Sequence, residues 1–274
     1  MIDNVGALYV LNDKVQKADM LKQVHIPVDS VVYEVIRVIN KAPLFFEEHY
    51  ARMKNSLELL GIELQFSQQD LKKQIARLID ENRLYSCNVK AVVYSEAGNQ
   101  DLLVYISKSY YPAAEEIEKG VRVSLLHIER ENPNIKLVND EYKLKVSRKI
   151  AEDKAFEVLL VNRDGKITEG SKSNLFFVKG KKVYTAPGEY VLRGITRQYV
   201  IETCKKLGFE VILTLIGVDH LQDMDGLFIS GTSIKVLPIA QVGEAGFSSS
   251  TNPTIIAIRD LFDGLIEEYI KGYK

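Results

Sequence analysis

Glu169 opens a stretch whose residue types could do chemistry together, and Gly194-Ile195-Thr196-Arg197 closes it. The stretch reads as a strand carrying the acid, a hairpin, a turn and then a helix that starts at Gly194. A helix start offers unpaired backbone N–H groups and the positive end of the peptide dipole, so Thr196 there is well placed to hold a phosphate. A fixed carboxylate beside such a cup would repel a phosphate. The two suit one ligand only if it carries a cationic centre away from its phosphate.

Pyridoxal phosphate has that combination, because its ring nitrogen is protonated where a carboxylate faces it. At these residues the chain resembles the class IV pyridoxal-phosphate aminotransferases, the family of branched-chain aminotransferase, D-amino acid aminotransferase and aminodeoxychorismate lyase. Glu169, Ser171, Asn174, Leu175 and Phe176 open the family signature, Val183 and Thr185 fill its middle, and Leu192, Gly194, Ile195 and Arg197 complete it. The resemblance extends from about Val31 to Pro238.

The roles that follow are what the resemblance implies. Lys136, in the Ile-Lys after the Asn-Pro-Asn turn, takes the place of the lysine that holds the pyridoxal 5'-phosphate aldehyde as a Schiff base. On its own it would read as a solvent-exposed loop lysine. Glu169 would face the pyridine nitrogen and keep the ring an electron sink. Arg52, in His49-Tyr50-Ala51-Arg52-Met53, resembles the arginine that grips the cofactor phosphate, for which a planar fork is better suited than an ammonium. His49 reads as scaffold. Ile195, Thr196 and Thr232, the last in Ser230-Gly231-Thr232-Ser233, would complete the phosphate cup, Leu192 would lie on the ring face, and Ser173 would stand near the glutamate. Asp140 stands near the place where many members carry a tyrosine that touches the cofactor, with Tyr142 two residues on; Arg193 replaces a proline common in branched-chain enzymes.

Substrate choice is read from two short runs. Val32-Tyr33-Glu34-Val35 is similar to the Val-Tyr-Glu-Val of D-amino acid aminotransferase, which would put Tyr33 on the substrate side. The carboxylate-binding Arg-x-His of those enzymes is replaced by Ser107-Lys108-Ser109-Tyr110, where Lys108 offers a point charge without a fork. The expected reaction is amino transfer between a branched-chain L- or D-amino acid and a 2-keto acid. The alternative is aminodeoxychorismate lyase chemistry, which releases pyruvate and p-aminobenzoate. A ligand-binding homologue without catalysis is the non-enzymatic alternative.

The 274 residues and a net charge of −1 with interspersed signs allow a large core and argue against a nucleic-acid groove or a polybasic membrane anchor. The apolar run Val211 to Val218 is too short to cross a bilayer, and no basic-then-apolar leader opens the chain, so a soluble cytoplasmic protein is expected. His25, His49, His127 and His220 lack metal-ligand spacing, and Cys87 and Cys204 read as ordinary buried thiols. The partners expected are small amino and keto acids and, by the resemblance, a second copy in a homodimer with the site between the domains.

Several elements have to position these residues. Strands are expected at Ala7 to Leu11, Ser30 to Ile39, Leu44 to Phe46, Val89 to Ser95 and Leu102 to Ser107. Helices are expected at Glu47 to Leu60, with Tyr50, Met53 and Leu57 on one face, and from Ser67, a good N-cap, to Arg83. These make a small N-terminal α+β domain over 1–110, followed by a linker over 111–119. A larger α+β domain over 120–274 should hold strands at Val121 to Ile128, Glu157 to Asn162, Lys166 to Thr168, Glu210 to Leu215 and Gly226 to Ser230. Its helices should run over Asp140 to Lys154, Ile195 to Leu207 and Thr254 to Ile270, with a break at Glu131-Asn132-Pro133-Asn134. The fold class is α+β, with the two-domain arrangement of the D-amino acid and branched-chain aminotransferases implied by the resemblance.

Overall fold

The computed structural model describes residues 2–27, 31–96, 99–130, 133–136 and 140–273. Ser30, Glu131 and Asn132, at which a strand start and a chain break are expected, lie outside them. The chain forms two compact units. One comprises Met1–Ser109 with Ile135–Val138 and Glu268–Lys274; the other comprises Tyr110–Asn134 and Asn139–Glu267.

The first unit is an antiparallel sheet of β1 (Leu8–Leu11), β2 (Lys14–Lys17), β3 (Val32–Ile39), β4 (Ala42–Pro43), β5 (Cys87–Glu96) and β6 (Asn99–Ile106), in the order β2-β1-β6-β5-β3-β4. Helices α1 (Phe46–Glu58) and α2 (Gln68–Glu81) cover one face, where Met53, Leu57, Leu71, Ile75 and Leu78 pack against Val32, Ile36, Val89 and Val104. Ser67 caps α2 in a capping box, accepting from the Asp70 N–H while the Asp70 carboxylate accepts from Ser67 N–H. The other face carries Tyr9, Val92, Tyr94, Leu103 and Tyr105. Strand β3 therefore has two audiences: Val32, Glu34, Ile36 and Val38 are buried, while Tyr33, Val35 and Arg37 alternate with them and are half-buried.

Leu44 to Phe46 is not a strand. The ladder stops at Pro43, Phe45 takes a left-handed conformation (φ 52°) and α1 begins at Phe46. A short apolar run is buried in either setting, which is why the sequence does not distinguish them.

The second unit is built on a mixed sheet. Its strands are β7 (Val121–His127), β8 (Glu157–Val161), β9 (Lys166–Gly170), β10 (Asn174–Lys179), β11 (Lys182–Thr185), β12 (Glu210–Leu213), β13 (Ile216–Gly217), β14 (Gly226–Gly231), β15 (Lys235–Val242) and β16 (Ala245–Gly246). They run in the order β12-β11-β10-β14-β15-β7-β8-β9-β13, with β16 paired to β15. Parallel pairs β7–β8, β15–β7 and β11–β12 sit among antiparallel ones. A short helix, α3 (Ala114–Lys119), occupies the segment read as a linker, and helices α4 (Asp140–Asp153), α5 (Ile195–Lys206) and α6 (Pro253–Gly272) match the expected segments within a few residues. The Glu116 carboxylate accepts the Ala113 N–H at the start of α3. Gly120 ends that helix with φ 77°, and a Cβ there would lie 2.9 Å from the Ala240 nitrogen, so glycine is required by conformation and by space.

Strand β15 went unseen in the sequence because Pro238 lies inside it, opposite Phe228. The β7 ladder begins only at Ile239, beyond the proline. Among the described residues no helix is long and apolar enough to cross a membrane, and no three His, Cys, Asp or Glu side chains group as metal ligands. Cys87 and Cys204 are free and buried, and burial raises their thiols to about 11 and about 12.

Alternation along β10 and β14 puts Asn174, Phe176, Ser230 and Phe228 on one face. The Phe176 and Phe228 rings stack there with centroids 4.8 Å apart, in the register step next to the Asn174–Ser230 pair. Phe228→Ala is expected to cost about 3–5 kcal/mol, read as a lowered urea midpoint at unchanged slope.

Candidate active site

In the second unit Glu169 lies near the end of β9 on its buried face, 2% exposed. Its Oε2 accepts the Leu192 N–H at 3.1 Å and the Asn174 side-chain amide at 3.3 Å, and its Oε1 accepts from Arg130 Nη1 at 3.1 Å. A buried carboxylate needs donors of this kind to stay charged. The Asn174 amide also donates to the Leu192 carbonyl at 2.9 Å, so both backbone groups of Leu192 are fixed by the acid and the asparagine.

The turn that follows is tight, with Gly194 N–H donating to the Leu192 carbonyl at 2.7 Å, and Gly194 is the N-cap of α5. A Cβ at Gly194 would fall 2.1 Å from Asn174 Oδ1. Only glycine lets the helix start come this close to the asparagine. Gly194 makes no side-chain cap at the start of α5, and the Ile195 and Thr196 side chains of its first turn are buried. Ser230, opposite Asn174, has a buried hydroxyl without a hydrogen-bond partner among the described residues, and Thr232 follows in the turn after β14. An orphaned hydroxyl, a bare helix start and a donor-ringed carboxylate suit a ligand with an anionic group and a protonated nitrogen.

Asn174 is thus the hub between the acid and the cup, a role its place in the signature does not reveal. Ser173 points elsewhere: its hydroxyl donates to Glu157 at 2.9 Å, and Ser171 and the Lys172 N–H also donate to Glu157. Burial raises the Glu157 carboxyl, against the pull of those donors. This second buried acid pins the Ser171-Lys172-Ser173 bend between Glu169 and Asn174. Tyr142 donates to the Ser171 carbonyl at 3.1 Å and its ring lies 5.9 Å from the Arg130 guanidinium. Arg130 and Glu157 come from distant segments and carried no local signal.

In the first unit, Arg52 sits on α1 and faces Glu34 on the buried side of β3. Its Nε and Nη2 donate to the two Glu34 oxygens at 2.8 and 2.6 Å, and the His49 Nδ1 meets Glu34 Oε2 at 2.7 Å. Glu34 takes two of the five guanidinium donors and fixes the plane of the fork. Burial alone would raise the Glu34 carboxyl, but Arg52 and then His49 outweigh it and hold it at about 2. Burial lowers His49 below its usual 6.5 despite Glu34, helped by the Arg52 and Lys136 charges.

Lys136 belongs to this unit. The Tyr33 N–H donates to the Lys136 carbonyl at 3.3 Å, at the β3 edge that short β4 leaves uncovered, and the Lys136 amine lies 5.0 Å from the Tyr33 ring centre. Lys108 is exposed past the end of β6 and its N–H donates to the Asp3 carbonyl at 2.8 Å.

Comparison with known proteins bears on both units. The model of the family described as Amino-transferase class IV matches residues 31–242, and the chain belongs to that family, whose members are pyridoxal-phosphate-dependent enzymes. The chain is 30% identical over 222 residues to D-alanine aminotransferase of Bacillus licheniformis, covering 77% of this chain and 78% of that one. It is 27% identical over 244 residues to a probable branched-chain-amino-acid aminotransferase of Thermotoga maritima, with 86% of each covered. It is 23% identical over 256 residues to aminodeoxychorismate lyase of Bacillus subtilis, covering 87% and 86%. The solved branched-chain amino acid aminotransferase of Escherichia coli superimposes with a TM-score of 0.80 at 22% identity, over 95% of this chain and 94% of that one. The two-domain class IV fold expected from the sequence is the fold of this chain.

Acid should weaken the first unit in two stages. His49 has a folded value below its unfolded 6.5, so its contribution is present above 6.5 and is lost as pH falls from there. Glu34 contributes above its ordinary 4.5 and loses that contribution between 4.5 and about 2. Urea midpoints measured stepwise from pH 7 to pH 3 should fall through both windows. Arg52→Met, which leaves the buried Glu34 charge with His49 alone beside it, should cost about 3–5 kcal/mol at pH 7 and flatten the lower window.

Proposed function

We propose that the chain is an aminotransferase that moves an amino group between a branched-chain L- or D-amino acid and a 2-keto acid, with Lys136 as the lysine that carries the cofactor. The observation that carries this reading is the link from Glu169 through Asn174 and Leu192 to the start of α5, which ties a donor-ringed carboxylate to an anion cup. Bound pyridoxal 5'-phosphate supplies an aldehyde that takes up the amino group and a ring that spreads the charge left when the substrate Cα loses its proton.

The chain's own residues supply the rest. Glu169 holds a proton on the ring nitrogen. Arg52, oriented by Glu34, is a phosphate ligand of the first unit, and the Ile195 and Thr196 N–H groups and the Thr196 and Thr232 hydroxyls are phosphate ligands of the second. Leu192 lies on the ring face, and Ser173 acts on Glu169 only through the bend that Glu157 pins. The Lys136 amine moves the proton at the substrate Cα. Tyr33 lines the substrate side, Lys108 supplies a point charge toward a substrate carboxylate, and the active form is a cytoplasmic homodimer.

The similarity to aminodeoxychorismate lyase supports a second reading, in which the same residues serve release of pyruvate and p-aminobenzoate. Borohydride reduction of the cofactor-loaded protein followed by peptide mapping should place the label on Lys136; a label elsewhere refutes the assignment. Lys136→Ala should lower kcat by at least about a hundredfold. Incubation with D-alanine, L-leucine or aminodeoxychorismate should give keto-acid-dependent turnover of an amino acid. Release of p-aminobenzoate without that turnover would transfer the assignment to the lyase.

A further inference from the structure

Lys90 lies on β5, opposite Val35 of β3 and Tyr105 of β6, with only 11% of its side chain exposed. It shares the sheet face of Tyr33. Its amine is 4.8 Å from the Tyr33 ring centre and 5.7 Å from that of Tyr105. A lysine this deeply buried requires compensation beyond two ring faces. The compensation comes from Asp3, whose Oδ1 meets the Lys90 amine at 3.2 Å and accepts the Tyr105 hydroxyl at 2.9 Å.

Asp3 is not part of the strands that bury Lys90. It reaches the sheet on the N-terminal segment, where the Lys108 N–H holds the Asp3 carbonyl and Asn4 bridges to Ser107. The carboxylate is therefore a fixed counter-charge brought in from outside the strands β3, β5 and β6. The Lys136 amine lies 5.0 Å from the Tyr33 ring that also receives Lys90, so the two amines are no further apart than the sum of their distances to that ring. A substrate side chain that extends from Lys136 along the Tyr33 ring therefore runs toward Lys90.

We infer that Asp3 is a specificity-determining residue: by cancelling the Lys90 charge beside Tyr33, it biases the site at Lys136 toward substrates whose side chains carry no second carboxylate. The inference rests on the reading of Lys136 given above. A distal carboxylate arriving at Lys90 meets Asp3 as a like charge and has to displace a pair already made. A neutral side chain meets a closed ion pair and two tyrosine rings.

The test compares the cofactor-loaded protein with Asp3→Asn and with the double variant Asp3→Asn/Lys90→Met. For each, kcat/KM is measured for 2-oxoglutarate and for 4-methyl-2-oxopentanoate, and binding of glutarate and of 4-methylpentanoate is measured by calorimetry. Asp3→Asn keeps the shape of the side chain and the backbone contact to Lys108, and cofactor absorbance reports that each variant is folded. Asp3→Asn should raise the preference for the dicarboxylic member of each pair by about tenfold, and the double variant should lose the gain. A change within about twofold in Asp3→Asn, or a gain that survives loss of Lys90, overturns the inference. If the unmodified protein transaminates neither keto acid while glutarate preference still rises in Asp3→Asn, the aminotransferase reading falls and the role of Asp3 stands.

Discussion

The interaction on which the second unit depends is the grip of Glu169 and Asn174 on both backbone groups of Leu192. A carboxylate buried to 2% exposure would give up its charge without donors, and Leu192, Asn174 and Arg130 supply them. The same bonds hold the chain just before α5, so that satisfying the acid also sets where the helix begins. The spacing from Glu169 through Asn174 to Leu192 and Gly194 is the spacing of one hydrogen-bonded network. Its glycine is fixed by the asparagine oxygen that a Cβ would strike.

The first unit solves a related problem with the opposite charge. A long arginine side chain has rotamer freedom to lose when it is ordered. Glu34 holds the Arg52 side chain in one orientation, and His49 meets the same carboxylate, its imidazole pushed below the usual range by burial. In both units a buried acid fixes a neighbouring group: a backbone turn beside Glu169, a guanidinium beside Glu34.

What was legible in the sequence was local. The stripe Met53-Leu57, the stripe Leu71-Ile75-Leu78 and the Ser67 cap marked α1 and α2 within a few residues, because helical periodicity is carried by residues three and four apart. Glu169 and the glycine turn stand in one run that resembles the family signature and Arg52 in the separate His49-to-Met53 run, so each could be singled out without knowing the fold. Strand β15 was hidden by Pro238, α3 by its paired alanines and clustered acids, and β2 by its polar sequence. Arg130, Glu157, Lys90 and Asp3 were hidden for another reason: the groups that give them meaning stand far away in the chain. Asp3 meets Lys90 across 87 positions, and Arg130 meets Glu169 across 39. Pairings of that kind appear only once the sheets are assembled.

Strand β3 sends Glu34 toward α1 and, one residue earlier, Tyr33 toward Lys136. Because strand side chains alternate with a period of two, the two jobs are locked to each other by parity. Losing one residue ahead of Glu34 would hand the tyrosine's position to the acid and the acid's to an apolar neighbour, spoiling both at a stroke. Residues at odd-numbered positions of β3 can therefore be exchanged without turning Glu34 away from α1, while a one-residue change in the length of that strand cannot be made without doing so.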